Sequence, residues 1–163
     1  MRHIISVLLE NEPGALSRVS GLFSARGYNI ESLTVAPTHD STLSRMTIVT
    51  NGDERRIDQI EKHLNKLVDV AALQDVTVDR HLEREVILVK VSVAESEKTD
   101  FERAIGVFNA NLIDITGNCF VVELNGSSEK NDELLKALNR YSIIEVARSG
   151  VTALALNERT LAI

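Results

Sequence analysis

Several residue types are scarce in this chain, and each shortage argues against a class of protein. The 163 residues include one cysteine, Cys119, so the chain forms neither an internal disulfide framework nor a thiolate metal cluster. Tryptophan is absent and aromatic residues make up only 4%, which leaves little material for stacking nucleic-acid bases. Basic residues (18) are outnumbered by acidic ones (24), so general binding to a phosphate backbone is not expected. No apolar run is long enough to span a membrane.

The remaining composition is that of a soluble globular protein. Hydrophobic residues account for 44% and charged residues for 26% of the chain. A lone cysteine suits a reducing compartment, so we expect a cytoplasmic protein. The first predicted strand starts at His3, which leaves no room for a signal or transit peptide.

The periodicity of the apolar residues predicts one order of elements twice. Apolar residues alternate from Ile5 to Leu9, as in a strand, and then recur at helical spacing from Leu16 to Phe23. The order strand, helix, strand, strand, helix, strand is complete by Val78 and begins again at Arg84. We therefore expect an α+β fold of two tandem ferredoxin-like βαββαβ units, residues 1–79 and 80–163. In each unit, helices should cover one face of an antiparallel sheet whose second and fourth strands lie at the edges. Units this small bury modest cores, so a homodimer is expected.

Local signals refine this outline. The second strand is predicted over residues 28–36, after Gly27 ends the first helix. Asp53 is a candidate N-cap for the second helix, and Ser128 for the fourth. An irregularity is predicted near Ala71-Ala72, and a two-residue hairpin at Gly117-Asn118.

The first strand-to-helix turn, Leu9-Glu10-Asn11-Glu12-Pro13-Gly14-Ala15-Leu16, is the part of the chain best suited to binding. Pro13 lacks an amide donor and suits the first helical turn, while Gly14 adds no side chain that would block an approaching group. The backbone amides of residues 14–16 would then face outward at the positive end of a helix, which favours a small carboxylate. Asn11 adds an amide that both donates and accepts, as an amino-acid ligand requires. Asn-x-Pro-Gly is also an ordinary turn signal, so the pattern alone does not establish binding.

No catalytic set or metal site is evident. The four histidines, at positions 3, 39, 63 and 81, are scattered and are interpreted as surface residues. Cys119 begins a predicted strand with no evident base nearby. RNA-recognition domains share the βαββαβ order, but their third strand carries aromatic residues, and the matching strand here, residues 43–50, has none. Nucleic-acid binding is therefore not expected.

Two segments resemble the signature of an ACT domain, the amino-acid-sensing regulatory module: Asn11-Glu12-Pro13-Gly14-Ala15-Leu16 and Arg26-Gly27-Tyr28-Asn29-Ile30-Glu31-Ser32-Leu33. More narrowly, the run from Ser6 to Thr38 resembles the regulatory small subunit of acetolactate (acetohydroxyacid) synthase. Leu43-Ser44-Arg45-Met46-Thr47-Ile48 and Ile144-Glu145-Val146-Ala147-Arg148-Ser149-Gly150 extend the resemblance to nearly the whole chain.

This resemblance implies a non-catalytic chain that binds and activates a separate catalytic subunit and confers feedback inhibition by valine. The thiamine diphosphate, magnesium and FAD of the reaction are expected on that partner, and no cofactor is expected here. In ACT dimers of this kind, the effector lies between the turn of one chain and the second strand of the other. Carried over, Asn11, Gly14, Ala15 and Leu16 would come from one chain, and Asn29 and Ile30 from its partner.

The second unit departs from the ACT pattern. Its corresponding turn, Ala94-Glu95-Ser96-Glu97, lacks Pro-Gly and adds negative charge, so it should receive a carboxylate poorly. We interpret this unit as serving dimerisation or contact with the enzyme. An alternative for the whole chain is a free-standing ACT-type sensor that acts on another enzyme.

Overall fold

A computed structural model describes residues 1–156, 158, 160 and 161 of the chain. The predicted order of elements is confirmed, with one further strand after the second unit. The elements are β1 (Arg2–Glu10), α1 (Ala15–Ala25), β2 (Ser32–Pro37), β3 (Leu43–Asn51), α2 (Glu54–Leu64), β4 (Val70–Asp75), β5 (His81–Ser92), α3 (Lys98–Val107), β6 (Asn111–Thr116), β7 (Cys119–Gly126), α4 (Ser128–Leu138), β8 (Ser142–Arg148) and β9 (Thr152–Ala155).

The first unit contains an antiparallel sheet in the order β2-β3-β1-β4, so its second and fourth strands form the edges as predicted. Strand β1 pairs with β3 along its whole length, from Arg2 opposite Asn51 to Glu10 opposite Leu43. The register of β1 against β4 shifts between Leu8 and Leu9, which confirms the irregularity near Ala71-Ala72.

Helices α1 and α2 cover one face of this sheet. Alternate residues of β1 and β3 point into this core, because successive side chains of a strand point to opposite faces. Asp53 caps α2 as predicted, since its side chain accepts a hydrogen bond from Arg56 N at 2.8 Å. The buried residues of this core are Ile5, Val7, Leu9, Val19, Phe23, Met46, Ile48, Ile57, Ile60 and Leu64.

Strand β2 begins later than predicted, at Ser32 rather than Tyr28. The chain after α1 instead continues a C-terminal turn, in which Tyr28 N donates to Phe23 O at 2.9 Å. The Tyr28 ring packs edge-on against Phe23, with ring centroids 5.9 Å apart. This aromatic contact holds Tyr28 against α1, and the chain first bonds to the β3 backbone at Glu31, whose N donates to Val49 O at 2.8 Å.

The opposite face of the first sheet is also covered, which the sequence analysis did not predict. Val151 and Ala153, which flank exposed Thr152, are buried in a second small core with Ile4, Val49 and Val76. Val151 N donates to Ser32 Oγ at 3.0 Å. Strand β1 is therefore buried on both faces, from His3 to Leu9.

The predicted division into residues 1–79 and 80–163 is accordingly wrong in its second part. The compact units are residues 1–82 together with the described residues from Val151 onward, and residues 83–150. In the segment after β8, buried Val151 and Ala153 alternate with exposed Thr152 and Leu154, and such a segment is stable only where an apolar surface buries one side of it. Of the predicted second unit, residues 157, 159, 162 and 163 lie outside the described residues.

The second unit repeats the strand arrangement in the order β6-β7-β5-β8. Gly117 adopts a φ of +61° in the predicted hairpin between β6 and β7. The N-cap of α4 is Ser127 rather than Ser128, and its side chain accepts from Lys130 N at 3.3 Å. The core of the second unit centres on Phe101, which packs against Phe120 and Tyr141 with ring centroids 5.1 and 5.2 Å away.

The core between β9 and β1 makes a testable prediction. Val151→Ala should lower the free energy of unfolding of the first unit by about 2 kcal/mol, because it removes two buried methyl groups. Thr152→Ala is the matched control, since this neighbouring side chain is exposed, and it should change stability by less than about 0.5 kcal/mol.

The measurement is native-state hydrogen exchange of the β1 amides, which reports the first unit directly. Equal protection of β1 in both variants would show that β9 adds nothing to the stability of this sheet.

Candidate functional site

The predicted turn lies at the end of β1 and is held by backbone hydrogen bonds to two neighbouring segments. Glu10 N donates to Asp69 O at 2.9 Å, and Asn11 N donates to Thr42 O at 2.7 Å. Gly14 is the N-cap of α1 and has a φ of +92°, a conformation that side-chain-bearing residues rarely adopt. The helix starts at Ala15, so Pro13 precedes it instead of occupying its first turn.

The amino-terminal end of α1 lacks the capping side chain and the first-turn carboxylate that often occur at a helix start. No side chain caps it, and no acidic residue lies in its first turn. Ala15 N donates to Glu12 O at 3.2 Å, so this amide is already engaged, contrary to expectation. Among the described residues, the amides of Gly14 and Leu16 bond to no acceptor. These two donors and the helix dipole favour an anion at the turn.

Arg18 belongs to this site, although the sequence analysis did not select it. Its Nε and Nη2 donate to the two carboxylate oxygens of Asp69, at 2.5 and 2.6 Å. The remaining nitrogen, Nη1, lies 3.0 Å from the position that a Cβ at residue 14 would occupy. The spacing could have revealed it, because residues four apart share a helix face and Arg18 follows Gly14 by four.

The Arg18–Asp69 pair shifts both pKa values. The hydrogen bond from the Arg18 guanidinium lowers the pKa of the Asp69 carboxyl, and the same hydrogen bond raises the pKa of Arg18. The side chain of Asp69 is only 6% exposed, whereas that of Arg18 is 47% exposed. A buried carboxylate thus fixes a guanidinium that remains open to solvent beside Gly14.

The side chain of Asn11 serves mainly to hold the adjoining loop. Its Nδ2 donates to Ser41 O at 3.0 Å, and its Oδ1 accepts from Ser44 Oγ at 3.1 Å. A carbonyl oxygen has two lone pairs, so one acceptor position of Asn11 remains for a ligand.

Asn29 and Ile30 lie at the other end of α1 from Gly14. This helix of 11 residues is about 16 Å long. Asn29 O accepts from Thr50 Oγ1 at 2.6 Å, near the end of β3, whereas Asn11 lies beside the start of β3. A single chain therefore brings together Asn11, Gly14, Ala15 and Leu16, and holds Asn29 and Ile30 apart from them.

The apolar residues predicted for the site differ in how far they are exposed to solvent. Leu16 is 43% exposed, Ile30 is partly buried against the helix-side core, and Ala15 is buried. Leu16 therefore offers open apolar surface beside the free amides, and Ile30 offers a smaller area at the opposite end of the helix.

The corresponding turn of the second unit has the opposite electrostatic character. It forms a single 3-10 turn, Glu95–Glu97, that leads into α3, and Asp100 follows in the first turn of the helix. Lys98 Nζ is paired with Glu95, so its charge is already balanced. A carboxylate would meet repulsion here.

One histidine differs from expectation. His3 is buried rather than on the surface, and its Nδ1 lies 2.8 Å from Asp75 Oδ2. Within the described part of the chain, no three His, Cys, Asp or Glu side chains gather as metal ligands would. No helix in that part is both long and apolar enough to cross a membrane.

Two family models match the chain. Residues 5–72 match an acetohydroxyacid synthase small subunit-like ACT domain, and residues 84–157 match the small subunit of acetolactate synthase. The chain is 52% identical to the acetolactate synthase isozyme 3 small subunit of Salmonella typhimurium over 99% of both chains. It is 46% identical to the acetolactate synthase small subunit of Haemophilus influenzae, again over 99% of both. The crystal structure of the Thermotoga maritima acetolactate synthase small subunit is similar, with a TM-score of 0.88 and 31% identity over 98% of this chain and 99% of that one.

The lowered pKa of Asp69 predicts an acid-dependent contribution to stability. A carboxyl whose pKa is lower in the folded state stabilises the fold fully above its unfolded value, about 3.9, and this stabilisation is lost as the pH falls through the folded value. Asp69→Asn should therefore lose less stability than the parent between pH 7 and pH 3.

The measurement is chemical denaturation at both pH values. Asp58→Asn serves as the control, because Asp58 forms an exposed pair with Lys62. The prediction fails if Asp69→Asn and the parent lose the same free energy of unfolding on acidification.

Proposed function

We propose that this chain, which belongs to the family of acetolactate synthase small subunits, binds valine at its Gly14 turn and that this binding inhibits the catalytic subunit. The chain is a regulatory, non-catalytic subunit of branched-chain amino-acid biosynthesis. In this proposal, thiamine diphosphate, magnesium and FAD are held by the catalytic partner, and both subunits act in the cytoplasm. Similarity over the full length to small subunits of one enzyme favours this role over that of a free-standing sensor.

The observation that carries the proposal is the uncompensated positive end of α1 beside Arg18. The free amides of Gly14 and Leu16, together with Arg18 Nη1, suit the carboxylate of an amino acid. The oxygens of Asn11 and Asn29 would accept hydrogen bonds from its ammonium group. The apolar surface of Leu16 and Ile30 would cover its side chain, and such burial stabilises a valine-sized group by roughly 1.5 to 3 kcal/mol.

A homodimer would bring the separated halves together. Strand β2 is an edge strand with one unpaired side. When two such strands pair antiparallel about a two-fold axis, the start of each lies beside the end of the other. Ser32 starts β2 shortly after Asn29, and Pro37 ends it opposite Ser44, which binds Asn11. Pairing through β2 would thus bring Asn29 of one chain to the turn of its partner.

A pocket shared by two chains offers a route for inhibition. An effector shifts an assembly only if it binds one arrangement better than another. Valine between two small subunits would favour the dimer geometry that closes around it, and the catalytic subunit would respond to that geometry.

A charge placed at residue 14 tests the carboxylate site. Gly14→Asp should weaken valine binding at least about a hundredfold and abolish valine inhibition, because its carboxylate would occupy the place next to Arg18 Nη1. Gly14→Asn is the matched control, since asparagine is nearly isosteric and also tolerates a positive φ but carries no charge.

Valine binding to the full chain is measured by calorimetry, and inhibition is measured in the reconstituted holoenzyme. Activation of the catalytic subunit should persist in both variants. Normal valine inhibition in Gly14→Asp would remove the turn from the site.

Mixed dimers test whether the pocket is shared between chains. Each variant alone, Gly14→Asp or Asn29→Ala, should show weakened or absent valine inhibition. A mixed dimer of the two would contain one intact pocket, formed by the turn of the Asn29→Ala chain and Asn29 of the Gly14→Asp chain. Subunit exchange between the two variants should therefore restore part of the inhibition.

The matched control combines Gly14→Asp with Asn11→Ala. Both changes lie on the same half of the pocket, so their mixed dimers contain no intact site. If neither mixture regains valine inhibition, the pocket is not built across two chains.

A further inference from the structure

A cavity of about 630 Å³ lies on the face of the first sheet opposite to α1 and α2. Its floor is formed by cross-strand neighbours: Leu8 lies opposite Arg45, and Thr34 lies opposite Thr47. These residues alternate with the helix-side core residues of the same strands, so the cavity opens away from the Gly14 turn. Thr152 and Leu161 line its other side.

Arg45 lines this cavity, and its hydrogen-bond partners among the described residues are all neutral. Its Nη2 donates to Ser6 Oγ at 3.1 Å and to Ala153 O at 2.9 Å. Its Nε is buried and has no hydrogen-bond partner in residues 1–156, 158, 160 and 161. In those same residues, no carboxylate forms an ion pair with Arg45. Burial also lowers the pKa of this guanidinium, as expected when a charge is poorly solvated.

Asp40, the acidic residue among the described residues that line the cavity, does not neutralise this charge. Asp40 directs its carboxylate to its own loop, where Oδ1 accepts from Thr42 N at 2.9 Å and from Thr42 Oγ1 at 2.7 Å. A partly buried guanidinium, whose partners within the described part of the chain are neutral oxygens, therefore borders a space large enough for a small molecule. Unpaired charges in such sites are costly unless a counter-charge binds.

We propose that this cavity binds a short aliphatic carboxylate, whose charged end is held by Arg45. Its Nη1, like Nε, has no partner among the described residues, and Nη1 supplies the hydrogen bonds. The hydroxyl group of Thr47 flanks the polar part of the ligand, and Leu8 and Leu161 contact its hydrocarbon part. This site differs from the proposed valine site in lying on the other face of the sheet, and it does not depend on that proposal.

Isobutyrate and isobutyramide provide a matched pair of probes, because they share shape and differ in charge. The full chain, labelled with ¹⁵N, is titrated with each while the arginine Nε–Hε signals are followed by NMR. The buried Nε of Arg45 should give an observable signal that shifts saturably with isobutyrate and not with isobutyramide. The signal is assigned by its loss in Arg45→Lys.

Substitutions in the cavity and at the α1 turn show where isobutyrate binds. Arg45→Lys keeps a donor for Ser6 and Ala153 but loses the planar fork, so isobutyrate binding, followed through nearby backbone amides, should weaken at least about tenfold. Ala36→Leu fills the cavity opposite Arg45 without removing any contact of that residue, and it should also abolish the shift. Gly14→Asp should leave isobutyrate binding unchanged.

Three results would overturn the proposal. Equal binding of isobutyramide would show an apolar cavity without anion recognition. Binding that is lost in Gly14→Asp and kept in Ala36→Leu would belong to the α1 turn. No saturable shift of the Arg45 signal at high millimolar isobutyrate would show that the cavity takes no short carboxylate.

Discussion

The first unit depends on the burial of β1 on both faces. This strand pairs with β3 and β4 and carries apolar side chains toward the helices on one side and toward β9 on the other. A central strand covered on both faces contributes to two cores at once, so its position is constrained more strongly than that of any edge strand. Its carboxyl end, where the turn begins, is consequently well fixed.

The proposed binding at the turn depends on that fixed strand end and on the positive end of the α1 dipole. Gly14 supplies a backbone conformation that exposes helix amides, and Asp69 holds Arg18 beside them. No acidic residue lies in the first turn of α1, whereas the second unit places three acidic residues in the same region of its fold. The same topology thus favours the proposed anion site in one unit and disfavours such a site in the other, because function lies in the site and not in the fold.

The two faces of the first sheet present different chemical surroundings. The helix side leads to the turn proposed for valine, and the opposite side carries Arg45 among neutral partners under the segment from Val151 onward. The unpaired edge of β2 lies between these two faces, where a second chain would add to the sheet. In these proposals, the chain would present separate surfaces to a partner copy and to small anions.

The sequence by itself determined the alternation of strands and helices, the Asp53 cap, the hairpin at Gly117-Asn118 and the conspicuous turn around Gly14. All of these follow from local periodicity and backbone preference, which act over a few residues. Residues that pair across long distances in the chain were found only in the tertiary structure. Arg18 meets Asp69, and Val151 reaches the back of β1, through contacts that no local pattern encodes. The separation of Asn29 from Asn11 likewise became evident only once helix α1 was placed on the sheet, since its length sets the distance between them.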